Sequence, residues 1–261
     1  MGLLDGKNAI IYGGGGSIGS AIARAFAREG CAVYLAGRTA ASLQVLADDI
    51  QAGGGQAHPA VVDALDETAV QAHVAAVLEQ AGSLDVCLNL IKRGDVQGTP
   101  LIDMSTGDLM RAVDQGLRSN FITARAAARC MCRQGRGVIL HLNSASGAGA
   151  MPGMGSTGPA DAAIETFMRY LAAEVGPAGV RVCGIWTAGV EETLTEEKII
   201  EVSGPNGPSA VSARELIAGM SVLRRTPRLA EVAEAATFLA SDRAAGITGS
   251  MTNVSAGLVL R

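Results

Sequence analysis

The stretch from Asn8 to Gly30, NAIIYGGGGSIGSAIARAFAREG, constrains this chain more than any other. An apolar run ending at Tyr12 meets four consecutive glycines, and an alanine-rich segment with amphipathic spacing follows. The pattern is that of a strand, a tight loop and a helix. Glycines let the backbone turn sharply and approach a diphosphate, while the free N–H groups and positive dipole end of the next helix attract the anion. The expectation is a nucleotide cradle; a turn that only packs a helix on a strand is the simpler alternative.

From there the chain alternates short apolar runs with longer helical patterns, which predicts a parallel sheet of about seven strands with helices on both faces, an α/β doubly wound architecture. Strands are expected at 32–36, 57–62, 86–90, 138–142, 180–185 and 250–254. Helices are expected at 39–52, opened by a Thr39 cap and closed near Gly53, and at 66–81, 159–175 and 229–239. A long helix over 106–133 is expected to break at Gly116. The segment 191–227, with Pro205, Pro208 and a short helix around 213–220, reads as a mobile lid over a substrate cleft. Without an evident linker, residues 1–261 read as one domain carrying that lid.

Composition excludes several classes. A formal charge of −4 with no basic tract argues against a nucleic-acid or anionic-membrane surface. The apolar runs are too short to span a bilayer, and the first residues carry no secretion signal, so a cytoplasmic protein without membrane or nucleic-acid partners is expected. Cys31, Cys87, Cys130, Cys132 and Cys183 lack paired metal spacing and read as free thiols, with no metal site. His141, inside a strand, reads as a satisfied core histidine, and His58 and His73 as helix-flanking surface residues.

The order of elements, Tyr12-Gly13-Gly14-Gly15-Gly16-Ser17-Ile18-Gly19, Ser144 in Asn143-Ser144-Ala145-Ser146-Gly147, and the continuation through Ala162-Ala163-Ile164, Leu171-Ala172-Ala173-Glu174 and Gly179-Val180-Arg181-Val182 resemble the short-chain dehydrogenase/reductase family along nearly the whole chain. The resemblance implies a single-domain Rossmann fold, a nicotinamide cofactor, a small-molecule substrate, and a homotetramer or homodimer built on the helices that start near Thr106 and Pro159. It places Gly13, Gly15, Gly16, Ser17, Ile18 and Gly19 on the cofactor phosphates, Asp63 at the adenine edge, and Asn89 after the fourth strand among the cofactor-binding residues. Ser17 stands where the family has a glycine. Read as the older fingerprint, Gly14, Gly16 and Gly19 also fit, which leaves the register open by one residue.

The end of the second strand bears on the cofactor. An acid there would hold the ribose 2′-hydroxyl of NAD, whereas arginine suits the 2′-phosphate of NADP. Gly37-Arg38 offers no acid and a planar cationic fork, which favours NADP(H) over NAD(H), or no cofactor at all if the cradle is vestigial.

At the catalytic positions the chain departs from the pattern. The family uses an Asn, a Ser and a Tyr-x-x-x-Lys pair; counted in its frame, these fall on Gly116, Ser144, Thr157 and Asp161. A threonine hydroxyl is too weak an acid to replace an activated phenol, and a carboxylate at 161 disfavours a nearby oxyanion. Asn89-Leu90-Ile91, Thr187-Ala188-Gly189 and Leu223-Arg224-Arg225-Thr226 echo the enoyl-acyl-carrier-protein reductase branch. Three readings follow. One is an NADP(H)-dependent oxidoreductase of altered machinery acting on a small carbonyl, hydroxyl or enoyl substrate, with Ser144 or Lys92 polarising the substrate oxygen and water or Asp161 carrying the proton. Another is a non-redox enzyme for cyclisation, dehydration or isomerisation, with Asp161 as base and Ser144 or Thr157 as donor. The third is a non-catalytic binding or assembly protein. Lys92 or Arg93 is also a candidate partner for Asp161 across the cleft.

Overall fold

In a computed structural model, which describes residues 2–260, the chain forms one seven-stranded sheet in the order β3-β2-β1-β4-β5-β6-β7, every neighbouring pair parallel. The strands are β1 (Asn8–Tyr12), β2 (Ala32–Gly37), β3 (Gln56–Val61), β4 (Val86–Asn89), β5 (Gly137–Ser144), β6 (Val180–Thr187) and β7 (Met251–Val254). The helices are α1 (Ser17–Arg28), α2 (Ala40–Ala52), α3 (Glu67–Ala81), α4 (Thr106–Gln134), α5 (Thr157–Val175), α6 (Glu196–Ser203), α7 (Ala210–Met220) and α8 (Leu229–Ala240).

The near-continuous apolar strands follow from burial on both faces. Successive side chains point to opposite sides of a strand, so Ala9 and Ile11 of β1 join one core while Ile10 and Tyr12 join the other. The first core is closed by α1, α2 and α8 through Ile22, Phe26, Leu43, Leu46 and Leu239. The second is closed by α3, α4 and α5 through Val70, Val74, Met131, Ile164 and Met168. Each large apolar side chain so buried contributes about 1.5–3 kcal/mol.

Caps set several helix limits. Asp66 accepts from the amides of Thr68 and Ala69 to open α3, and Gly82 closes it in the left-handed conformation. Ser105 opens α4 by accepting from the Asp108 amide. Thr39 occupies the cap position of α2, but its side chain makes no cap bond.

Two local expectations need correction. The α4 helix runs unbroken through Gly116, because that glycine serves packing: a Cβ there would stand 2.7 Å from Arg93 Cδ and 3.1 Å from Ile164 Cδ1. The segment 191–227 carries two helices, α6 and α7, where one was expected. Leu194, Ile199, Ala213 and Ile217 form their own small cluster beneath them, separate from both main cores.

β1 lies between β2 and β4, so the chain reverses direction across the sheet beside the carboxyl end of β1. That crevice is where ligands bind in open α/β sheets.

Candidate active site

The glycine loop after β1 borders a cavity of about 270 Å³ whose walls include Gly13, Gly15, Gly16, Arg38, Ser42 and Asp63. Backbone atoms exclude a Cβ at two of the loop glycines, while Gly15 is crowded by the Ser42 hydroxyl. Gly13 has φ +82°, and a Cβ on it would stand 2.7 Å from the Leu90 carbonyl oxygen; a Cβ on Gly19 would stand 2.3 Å from the Gly13 carbonyl oxygen. Gly14 and Gly16 are less crowded, so Gly13 and Gly19 frame the loop and Ser17 begins α1. No side chain caps Gly16 and no acid stands in the first turn of α1, which leaves the positive end of that helix open to an anion.

Arg38 is exposed at the rim of this cavity. Asp63 Oδ1 accepts from the Leu65 amide at 3.0 Å, so Asp63 shapes its own turn as well as lining the wall. Asn89 is buried; its amide donates to Thr123 Oγ1 at 3.1 Å and its carbonyl accepts from the Ile91 amide. It braces the cleft floor.

A second cavity, of about 480 Å³, continues past Ser17, Ile18 and Gly19 to Lys92, Arg93, Ser144 and the threonines of the 191–195 turn. Two buried polar atoms on its wall, Thr187 Oγ1 and Asn120 Oδ1, have no hydrogen-bond partner. Unpaired buried polar atoms are costly, and a polar ligand in the cleft would pair them. The open helix end, the crowded glycines and these orphaned oxygens together fit a dinucleotide.

Behind Ser144 lies a compact charged cluster. Asp161 on α5 has no exposed side-chain surface; its Oδ1 stands 2.5 Å from Arg93 Nη1, and its Oδ2 accepts from Ser144 Oγ at 2.6 Å and Ser146 Oγ at 3.1 Å. Ser144 and Ser146 also bond each other. Arg93 forks between Asp161 and Asp95, with Nη2 2.8 Å from Asp95 Oδ1. Burial works against the Arg93 charge, but the two carboxylates outweigh it and push its pKa up. Burial pushes the Asp161 carboxyl up as well, with Arg93 and Ser144 pulling it back. Ser144 is half-buried and lines the cleft, and its hydroxyl links that cleft to the buried Asp161 carboxylate.

The remaining sequence candidates are arranged differently. Thr157 is buried and receives a hydrogen bond from Gln97 Nε2 at 3.1 Å; it belongs to the link between α5 and the loop after β4. Lys92 pairs with Glu201 on α6 at 3.0 Å, so Arg93 is the partner of Asp161. Tyr12 and Tyr34 are buried in the sheet and Tyr170 is largely exposed on α5. Ser146, Asp95 and Asn143 carried no sequence signal as site residues. Asn143 Nδ2 donates to the Asp161 carbonyl at 3.1 Å and faces Glu165 Oε1 at 3.5 Å, tying the end of β5 to α5.

His141 departs from expectation too. It is buried, yet its Nδ1 has no hydrogen-bond partner, and burial lowers its pKa to about 3. His58 lies in β3 stacked on Tyr34, with ring centroids 4.8 Å apart, and His73 on α3 packs edge-on to Tyr12.

Residues 14–259 match the family model described as enoyl-(acyl carrier protein) reductase. Oxidoreductase UcpA of Salmonella typhimurium is 32% identical over 261 residues, covering 100% of this chain and 97% of the relative. The 3-oxoacyl-[acyl-carrier-protein] reductase FabG of Pseudomonas aeruginosa is 28% identical over 257 residues, covering 98% of this chain and 99% of that protein. Among solved structures, NAD+-bound xylitol dehydrogenase superposes with a TM-score of 0.87 at 24% identity, over 97% of this chain and 99% of that one. Among the described residues, no helix is long and apolar enough to cross a membrane.

Proposed function

Because the chain belongs to the short-chain dehydrogenase/reductase family and is an NAD(P)-dependent oxidoreductase of that type, we propose that it exchanges hydride between NADP(H) and a small carbonyl, hydroxyl or enoyl substrate, with altered proton-transfer machinery. The observation that carries this reading is the Ser144–Asp161–Arg93 cluster at the edge of the cleft, where Ser144 Oγ lies 2.6 Å from a fully buried carboxylate.

The bound cofactor would supply or accept the hydride. Gly13 and Gly19 hold the loop open, and the amides at the start of α1 face the diphosphate. Arg38, with no acid at Gly37, suits a 2′-phosphate. Thr187 Oγ1 and Asn120 Oδ1 offer polar partners deeper in the cleft.

The proton follows a separate route. In the oxidative direction a substrate hydroxyl gives its proton to Ser144 Oγ as the serine's own proton passes to Asp161 Oδ2; in the reductive direction both transfers reverse. Arg93 keeps Asp161 in place for the exchange, and Ser146 holds the second position on Oδ2. The family's phenol and ammonium positions, counted to Thr157 and Asp161, are thereby replaced by a hydroxyl–carboxylate pair. The segment 191–227 serves as the lid: Lys92–Glu201 and the bond from the Gln97 amide to the Val202 carbonyl hold α6 against the loop after β4.

A non-redox reading has one observation in its favour: Ser144 and Asp161 form an acid–base pair that needs no cofactor to operate. Titration of the pure protein with NADPH and NADH by calorimetry, followed by turnover against a panel of carbonyl and enoyl compounds, separates the two. Micromolar NADPH binding with hydride turnover supports the oxidoreductase; no binding of either nucleotide refutes it. Assembly as a homodimer or homotetramer through α4 and α5 is part of the same proposal. Phe121 stands exposed on α4 beside Phe167 of α5, and light scattering of the purified protein reads the state directly.

A further inference from the structure

Residues of β5, β6 and α5, with the chain entering β7, border a separate pocket of about 260 Å³ that opens to solvent beside Ser250 and is lined by His141, Glu165, Met168, Arg169, Trp186 and Met251 among others. Two of its polar side chains are nonetheless deeply buried. Glu165 is 5% exposed; its Oε1 accepts from Trp186 Nε1 at 2.7 Å and faces Asn143 Nδ2 at 3.5 Å. His141 is 3% exposed with an unpartnered Nδ1, and its Nε2 lies over Gly184, where a Cβ would stand 2.6 Å from it and 1.9 Å from Met251 Sδ. A buried imidazole without a partner costs free energy unless something fills the space beside it.

The walls discriminate among occupants. Thioether sulfurs and an indole favour an aromatic body. Glu165 accepts hydrogen bonds and the neutral His141 can accept or donate one, which suits a hydroxyl head. We propose that this cavity is a second ligand site, distinct from the cleft, that takes a small hydroxylated aromatic of the phenol class. Glu165, which would receive the hydroxyl, contacts the same Asn143 amide that donates to the Asp161 carbonyl, so occupancy touches the back of the Ser144 cluster.

Trp186 is the only tryptophan in the chain, and it reports on the cavity from within. The test is a titration of the 261-residue chain, without nucleotide, with para-fluorophenol, read by fluorine NMR of the ligand and by Trp186 emission excited at the red edge. The expected result is one saturable event seen by both probes, with para-fluorotoluene binding about tenfold more weakly for want of the hydroxyl, a difference of about 1.4 kcal/mol. Glu165→Gln, which keeps an acceptor for Trp186, should weaken para-fluorophenol by a similar factor. Ser250→Leu at the exposed rim should block entry without disturbing the core. No saturable binding, equal binding of the toluene, or affinity unchanged in both variants would overturn the proposal. None of these readouts depends on nucleotide binding, so failure here is separate from failure of the oxidoreductase reading.

Discussion

Arg93 Nη1 lies 2.5 Å from Asp161 Oδ1, and the Arg93 side chain occupies space that any residue larger than glycine at 116 would contest. A buried ion pair of this kind is worth little against an apolar replacement but leaves an uncompensated charge when one partner is removed. Arg93→Met is therefore expected to destabilise the fold by about 3–5 kcal/mol in urea denaturation, and Asp161→Leu by a similar amount. The double variant should lose clearly less than the sum. Additive losses would show that the pair is not energetically coupled.

Ser144 is the hydroxyl of the cluster that lines the cleft, beside Arg93 and Asp95. Ser144→Ala should lower turnover by about two to four orders of magnitude, the usual worth of a positioned proton-transfer group, while NADPH affinity stays within a few fold. Thr157→Val removes only a hydroxyl that bonds Gln97, and turnover should change by less than about threefold. The reverse pattern, with Thr157→Val inactive and Ser144→Ala active, would move the chemistry to Thr157.

The fold was legible in the sequence because strand burial and helix periodicity are local signals. Ala9 and Ile11 sorting to one core and Ile10 and Tyr12 to the other is a consequence of alternation alone. Gly116 misled because a glycine inside a helical pattern reads equally as a break or as a close approach, and only the position of Arg93, 23 residues earlier in the chain, decides between them. Ser144 and Asp161 could be located by motif spacing. Their mutual bond, the role of Ser146 and the partnership with Arg93 depend on how the loop after β4 folds back onto α5, a long-range contact that no local pattern encodes.

The proposed preference for NADP(H) rests on Arg38. If its guanidinium meets a 2′-phosphate at the rim of the cavity beside the glycine loop, Arg38→Ala should weaken NADPH by about 10- to 100-fold, the loss of a charge-assisted hydrogen bond, with NADH affinity unchanged. Calorimetric titration of both nucleotides against both proteins gives the answer. An equal loss for NADH would assign Arg38 to the diphosphate or to folding.

His141 offers a pH test of the fold itself. Burial lowers its pKa from 6.5 to about 3, and Arg169 adds to the shift. An unfolded chain takes up a proton at this residue below pH 6.5, whereas the folded chain refuses it until about pH 3. The stability linked to His141 is therefore fully present above pH 6.5 and is lost as the pH falls toward 3. A shift of this size corresponds to a swing on the order of 4–5 kcal/mol at about 1.36 kcal/mol per pH unit. His141→Leu removes the titration while keeping an apolar body in the strand. The difference in unfolding free energy between the natural protein and His141→Leu should stay flat from pH 8 to about pH 6.5 and then move steadily in favour of the variant as acid is added. Parallel urea titrations at several pH values measure it. Curves that stay parallel through that range would mean that His141 is protonated, and so partnered, in the folded protein.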